Sequence, residues 1–161
     1  MIRKFPFLWI VPSIYLLDRF LKVWLVSRFD EGEGFAVLPG FFHITRVDNR
    51  GAAFGILKNY GSTLLWVSAL CAVVLTLYFL RDIFLSVKNR HEWLLTHRPL
   101  VKSAWSLVLA GALGNLYDRA RYGVVIDYLD FRIWPVFNLS DASICVGVFL
   151  AAVGFLRGKG A

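Results

Sequence analysis

Residues 61–80 read GSTLLWVSALCAVVLTLYFL, twenty in succession without a charged side chain. A helix rises about 1.5 Å per residue, so this run is long enough to cross ~30 Å of bilayer hydrocarbon. Three more apolar runs flank it, at about residues 5–26, 100–117 and 138–156. The expected fold is therefore an all-α membrane protein with four transmembrane helices, and residues 1–161 form one integral-membrane domain. The composition agrees: 58% of residues are hydrophobic and the mean hydropathy is +0.60, unlike an ordinary soluble domain.

The net charge is +7, which in a soluble chain would suggest nucleic acid. The placement of the charges argues against that partner, and no nucleic acid is expected. Arg3 and Lys4 precede the first run, Arg81, Lys88, Arg90, Arg98 and Lys102 lie between the second and third, and Arg157 and Lys159 follow the fourth. All fall on one side of a four-span topology. The positive-inside rule makes that side cytoplasmic and puts both termini there. Arg28, Arg46, Arg50, Lys58, Arg119, Arg121 and Arg132 lie in the two outer segments and temper the bias. The basic start imitates a secretory signal, but Asp18, Arg19 and Lys22 interrupt it and no small-residue cleavage site follows. Cys71 and Cys145 sit within apolar runs and read as small buried hydrophobes rather than a disulfide. The segment from Arg81 to Lys102, with His91 and His97, reads as a solvated connector.

With this topology three helices carry their polar residues at the outer end. Intramembrane polar groups are costly and commonly functional. Asp18 and Lys22 are four apart on one face, acid first, which favours an ion pair, although the lysine could also snorkel. Asn115 and Arg119 share a face near the end of the third helix, where they could cap it or bind substrate. Asn138 and Asp141 open the fourth, where an acid suits the first turn. Between the first two helices, residues 41–47 (FFHITRV) read as a short strand, and residues 48–55 (DNRGAAFG) as a turn whose small residues permit close backbone approach. Residues 122–131 (YGVVIDYLDF) join helices three and four along the interface. Asp127 is flanked there by hydrophobes, so its pKa should be raised.

Two carboxyl groups in a poorly solvated site can share a proton, one acting as base on water and the other donating to a carbonyl. Asp118, Asp127, Asp130 and Asp141 are the outer acids available near the third and fourth helices, and chemistry alone does not choose among them. His43, His91 and His97 are dispersed and form no His-Glu-x-x-His run, which disfavours zinc hydrolysis; the expected chemistry names no metal and no cofactor. A serine nucleophile, Ser140 or Ser143 with Lys22 as base, is conceivable, though no Gly-x-Ser-x-Gly elbow is present. Readings from other classes are a transport subunit whose buried acids carry ions or protons, and a structural anchor.

Five blocks together carry a family resemblance. They are residues 18–22 (DRFLK), 49–54 (NRGAAF), 111–119 (GALGNLYDR), 125–128 (VIDY) and 137–143 (FNLSDAS). In this order they resemble the bacterial lipoprotein signal peptidases (type II signal peptidases), over nearly the whole chain. The resemblance implies an intramembrane aspartyl endopeptidase of the bacterial inner membrane, with its active site near the outer face. It would remove signal peptides from prolipoproteins by cutting before the diacylglyceryl-modified cysteine. It implies Asp127 and Asp141 as the catalytic dyad, and Asn49, Gly111, Asn115, Arg119 and Asn138 as substrate-binding or site-lining residues. Asp18 and Lys22 would give structural support. It also implies a small extracytoplasmic β-like cradle between helices one and two, lipidated prolipoproteins and membrane lipids as partners, and a monomer. Ser140 stands where the family more often has alanine.

Overall fold

The computed structural model describes residues 6–51, 61–88 and 99–158. It contains four helices and a three-stranded sheet. A 3-10 turn, Pro6–Trp9, leads into α1, Ile10–Arg28. Strands β1, Gly34–Leu38, and β2, Phe42–Asn49, follow. Then come α2, Gly61–Lys88, α3, Pro99–Tyr122, β3, Val125–Asp130, and α4, Leu139–Gly158. The expected strand over residues 41–47 is β2, which reaches on to Asn49. Of the turn expected over 48–55, residues 52–55 lie outside the described residues, as do His91, His97, Arg3, Lys4 and Lys159.

Helix α3 is the central strut and packs against α1, α2 and α4. Its contact with α4 is close because Gly111 and Gly114 face the backbone and side chain of Ser140, where a Cβ on either would collide. Helix α3 ends at Gly123, whose φ of 74° turns the chain out of the helix while its N–H bonds the Arg119 carbonyl at 3.1 Å. That turn starts β3.

The sheet corrects one expectation. Residues 122–131 are not merely an interfacial connector, because Val125–Asp130 pairs antiparallel with β2. Strand order is β1-β2-β3, so the sheet draws on both outer segments. Arg46 anchors it to the exit of α1: one guanidinium nitrogen donates to the Phe29 carbonyl at 2.8 Å, and another pairs with Asp48 at 2.9 Å.

Burial is inverted relative to a water-soluble domain. Asp18, Lys22, Asp118, Asn138 and Ser140 are fully buried, whereas Phe20 is 67%, Trp66 73% and Leu156 75% exposed. Cys71 and Cys145 are also exposed free thiols, contrary to the expectation of buried hydrophobes. The reason is that the outward helix faces are themselves apolar, so an apolar neighbourhood in sequence does not mean an interior position. Among the described residues no helix is long and apolar enough to cross a membrane. In α1 the apolar run is broken by Asp18, Arg19 and Lys22. The fold therefore establishes four helices and a sheet.

Candidate active site

The start of α4 is built by a reciprocal cap. The Asn138 side-chain oxygen accepts the Asp141 N–H at 2.8 Å, and an Asp141 carboxylate oxygen accepts the Asn138 N–H at 3.4 Å. This satisfies helix-end donors that would otherwise be orphaned, and it fixes Asp141 in the first turn. The other Asp141 oxygen accepts from Asn115 of α3 at 2.7 Å.

Asp127 comes from β3 and is held from two sides. Asn49, at the end of β2, donates to one oxygen at 2.9 Å, and Asn138 donates to the other at 2.7 Å. One buried carboxamide therefore ties together both acids: its nitrogen serves Asp127 and its oxygen serves the backbone of Asp141. The same nitrogen also lies 3.2 Å from the Asn115 side-chain oxygen. Burial, and then the nearby negative charge of Asp141, push Asp127 up to about 7, against the lowering effect of the Asn49 and Asn138 bonds.

Behind these groups lies a buried ion cluster. Lys22 pairs with Asp18 at 2.8 Å and with Asp118 at 2.7 Å, and Arg19 also pairs with Asp118. The two acids and two bases balance in charge, as buried charges must. The cluster reaches the site through Lys22, whose ammonium lies 3.5 Å from the Asn115 side-chain oxygen. Ser140 donates to Asp18 at 2.8 Å, and the Tyr128 hydroxyl donates to Asp18 and accepts the Leu139 N–H, both at 3.2 Å. The Ile126 N–H donates to Asp118 at 3.3 Å. Sequence reasoning missed Tyr128 as a bridge between α1 and α4. Its only local signal is a phenol beside an acid in an apolar run.

A cavity of about 630 Å³ opens beside the two acids. Asn49, Asn115, Arg119, Asp127 and Asp141 form its polar wall, and α2 and α4 contribute apolar groups including Val67, Cys71, Ile144 and Cys145. Arg119 donates to the Gly51 carbonyl at 3.5 Å. Gly111 and Asn138 do not line the cavity. Gly111 sits in the α3–α4 contact, and Asn138 lies behind the acids.

The four outer acids thus sort themselves. Asp118 is engaged by Lys22 and Arg19, while Asp130 is engaged by Thr45 at 3.0 Å and by Arg132. Only Asp127 and Asp141 of the four face the cavity. Neither serine is poised as a nucleophile, because Ser140 bonds Asp18 and Ser143 bonds the Leu139 carbonyl. Among the described residues no cluster of three or more His, Cys, Asp or Glu could hold a metal ion.

The family model described as signal peptidase (SPase) II matches residues 10–157. A lipoprotein signal peptidase of Moorella thermoacetica is 39% identical over 145 residues, covering 90% of this chain and 89% of that protein. One from Desulfitobacterium hafniense is 42% identical over 151 residues, covering 91% and 90%. Two solved bacterial membrane enzymes share the fold. The first has a TM-score of 0.79 at 28% identity, covering 96% of this chain and 90% of that one; the second has 0.73 at 29%, covering 94% and 93%. The matched region runs from α1 through α4 and contains the capped acid, its strand-borne neighbour and the ion cluster behind them, and on these grounds the chain belongs to the signal peptidase II family.

Proposed function

We propose that this protein is an aspartyl endopeptidase that removes signal peptides from prolipoproteins, cutting before the diacylglyceryl-modified cysteine, with Asp127 and Asp141 as its dyad. The observation that carries the reading is the junction of the two carboxyl groups through Asn138 at the wall of a largely apolar cavity. One acid, ionised, takes a proton from water as the water attacks the scissile carbonyl. The other, protonated, donates to the carbonyl oxygen, and collapse of the tetrahedral species breaks the C–N bond and returns a proton to the leaving amine. The protons belong to the pair jointly. Asn49, Asn115 and Arg119 offer polar contacts to the substrate backbone beside the acids, and Gly111 and Asn138 support the site from behind.

The protein works in the bacterial inner membrane, with four spans, both termini cytoplasmic and the active site near the outer face. The exposed aliphatic and aromatic faces of α1, α2 and α4 support a lipid environment, as does the neutral pairing of the charges that interrupt α1. A signal peptide is an apolar segment, and acyl chains on its cysteine add ~0.8 kcal/mol per buried methylene. Lipid should therefore dominate recognition. The enzyme acts as a monomer, with membrane lipids around it, and needs no cofactor.

The test is cleavage of a synthetic prolipoprotein by purified protein in detergent, with and without diacylglycerol on the cysteine, followed by mass spectrometry. Cleavage of the lipidated form alone, immediately before the cysteine, supports the reading. Cleavage that ignores the lipid contradicts the substrate class, and no cleavage at all brings the transport reading forward.

A further inference from the structure

Each acid of the site has a chain neighbour that donates to the same carboxylate. Tyr128 follows Asp127 on β3, and successive strand residues face opposite sides. Asp127 lines the cavity, while the Tyr128 hydroxyl, on the other side, donates to one Asp18 oxygen at 3.2 Å. Ser140 precedes Asp141 on α4, about 100° away around the helix. Asp141 lines the cavity too, and the Ser140 hydroxyl donates to the other Asp18 oxygen at 2.8 Å. Asp18, Tyr128 and Ser140 are all buried. One carboxylate on α1 therefore holds both the strand that carries Asp127 and the helix that carries Asp141.

The two acids of the ion cluster are not held alike. Asp118 has two cations, Lys22 and Arg19. Asp18 shares Lys22, at 2.8 Å, and takes its other side-chain donors from the two hydroxyls. A carboxylate paired with an ammonium only accepts, so both O–H groups point at Asp18. That leaves a Tyr128 lone pair for the N–H of Leu139, the first residue of α4, at 3.2 Å. The chain from the Leu139 N–H through the phenol to Asp18 runs in one direction, and bonds so arranged strengthen one another. It joins β3 to the helical turn that carries Asp141, beside the bond from Asn138 to Asp127. Gly114 makes room for the junction, since a Cβ there would meet both the Ser140 hydroxyl and Asp18.

We propose that Tyr128 and Ser140 are positioning residues that set the spacing of Asp127 and Asp141 by tying both to Asp18. Neither lines the cavity, so both act on the rate of bond cleavage and leave substrate affinity alone. Tyr128→Phe removes two bonds and should lower kcat roughly tenfold. Ser140→Ala removes one and should lower it roughly threefold, with KM in both within about twofold of wild type. The two hydroxyls act in series through one carboxylate, so breaking either link releases the same coupling. The double variant should therefore lose about as much as Tyr128→Phe alone, well short of the product of the two single losses.

This assignment rests on the peptidase reading for its kinetic half, so a second measurement stands beside it. The first experiment is kcat and KM on the lipidated substrate for wild type, Tyr128→Phe, Ser140→Ala and the double variant, with thermal midpoints measured alongside. The second is backbone hydrogen exchange in the same four proteins, compared between residues 137–143 and the middle of α4. Tyr128→Phe should speed exchange in the first turn of α4 and leave the middle of the helix unchanged. A lowered midpoint with unchanged kcat would reduce both hydroxyls to structural roles and overturn the proposal. A loss seen in KM, or a double variant equal to the product of the singles, would overturn it as well. If wild type itself cuts nothing, the peptidase reading fails and exchange decides alone. Faster exchange in the first turn then supports the tie to Asp18, and unchanged exchange overturns it.

Discussion

The carboxamide of Asn138 donates to a carboxylate oxygen of Asp127 at 2.7 Å, across a sequence separation of 11 residues and from a fully buried position. Because the same side chain caps α4 through Asp141, the register between β3 and α4 is set by one group that need not touch substrate. Asn138→Ala should lower kcat/KM by roughly ten- to a hundredfold, the equivalent of one or two buried hydrogen bonds. The protein should remain folded by circular dichroism. An Asn138→Ala enzyme with wild-type kinetics would remove Asn138 from the account.

Asp127 has its pKa raised to about 7, with burial as the largest cause and Asp141 next. Its folded value thus lies above the ordinary carboxylate value, so the folded state binds the proton more tightly than the unfolded chain does. The sign follows: the ionised form costs stability as pH rises from about 4 to about 7, and the cost stays constant above that. Asp127→Asn removes this cost. The difference in thermal midpoint between Asp127→Asn and wild type should become more positive from about pH 5 to about pH 8. A difference that is flat with pH, or of opposite slope, would show Asp127 to be ordinarily ionised. Peptidase activity should likewise decline above about pH 7, as the proton shared by the pair is lost.

Lys22 sits between Asp18 and Asp118 with no exposure to solvent. Lys22→Met leaves Asp118 with Arg19 and strands Asp18 with the Ser140 and Tyr128 hydroxyls alone, a change expected to cost about 3–5 kcal/mol. Adding Asp18→Asn should recover part of that loss, because it removes the stranded charge. Thermal unfolding of the two single variants and the double variant in detergent gives the coupling directly. Simple additivity would contradict a shared cluster.

Gly114 packs against the Ser140 hydroxyl and lies close to Asp18. Gly114→Ala should lower the thermal midpoint sharply, since the obstacle includes a side chain fixed by its own hydrogen bond. Ser140→Ala in the same chain should partly restore it by making room. If Gly114→Ala is neutral alone, the α3–α4 contact is looser than described.

Much of this arrangement could be read from the chain. Four apolar runs became α1 to α4, and the i,i+4 spacing of Asp18 and Lys22 became an ion pair. Residues 41–47 announced β2 through their aromatic and β-branched content. What stayed hidden was long-range. Nothing local says that Asn49 will meet Asp127, 78 positions away, because strand pairing is set by how the two outer segments fold over the helix ends. Asp118 could not be separated from Asp127 by residue type, since the difference lies in Lys22 and Arg19 arriving from α1. Periodicity also failed to mark inner faces. With apolar groups on both sides of each helix, the polar residues point inward, and Cys71 and Cys145 were misplaced for that reason.

The central claim is that Asp127 and Asp141 act as one catalytic pair. The most direct test is cleavage of the lipidated substrate by Asp127→Asn and Asp141→Asn, each purified, shown to be folded and compared with wild type under single-turnover conditions. Each substitution should abolish detectable cleavage while leaving substrate binding within about threefold of wild type, since both acids are asked to act on the bond rather than to hold the peptide. Full activity in either variant would contradict the paired mechanism.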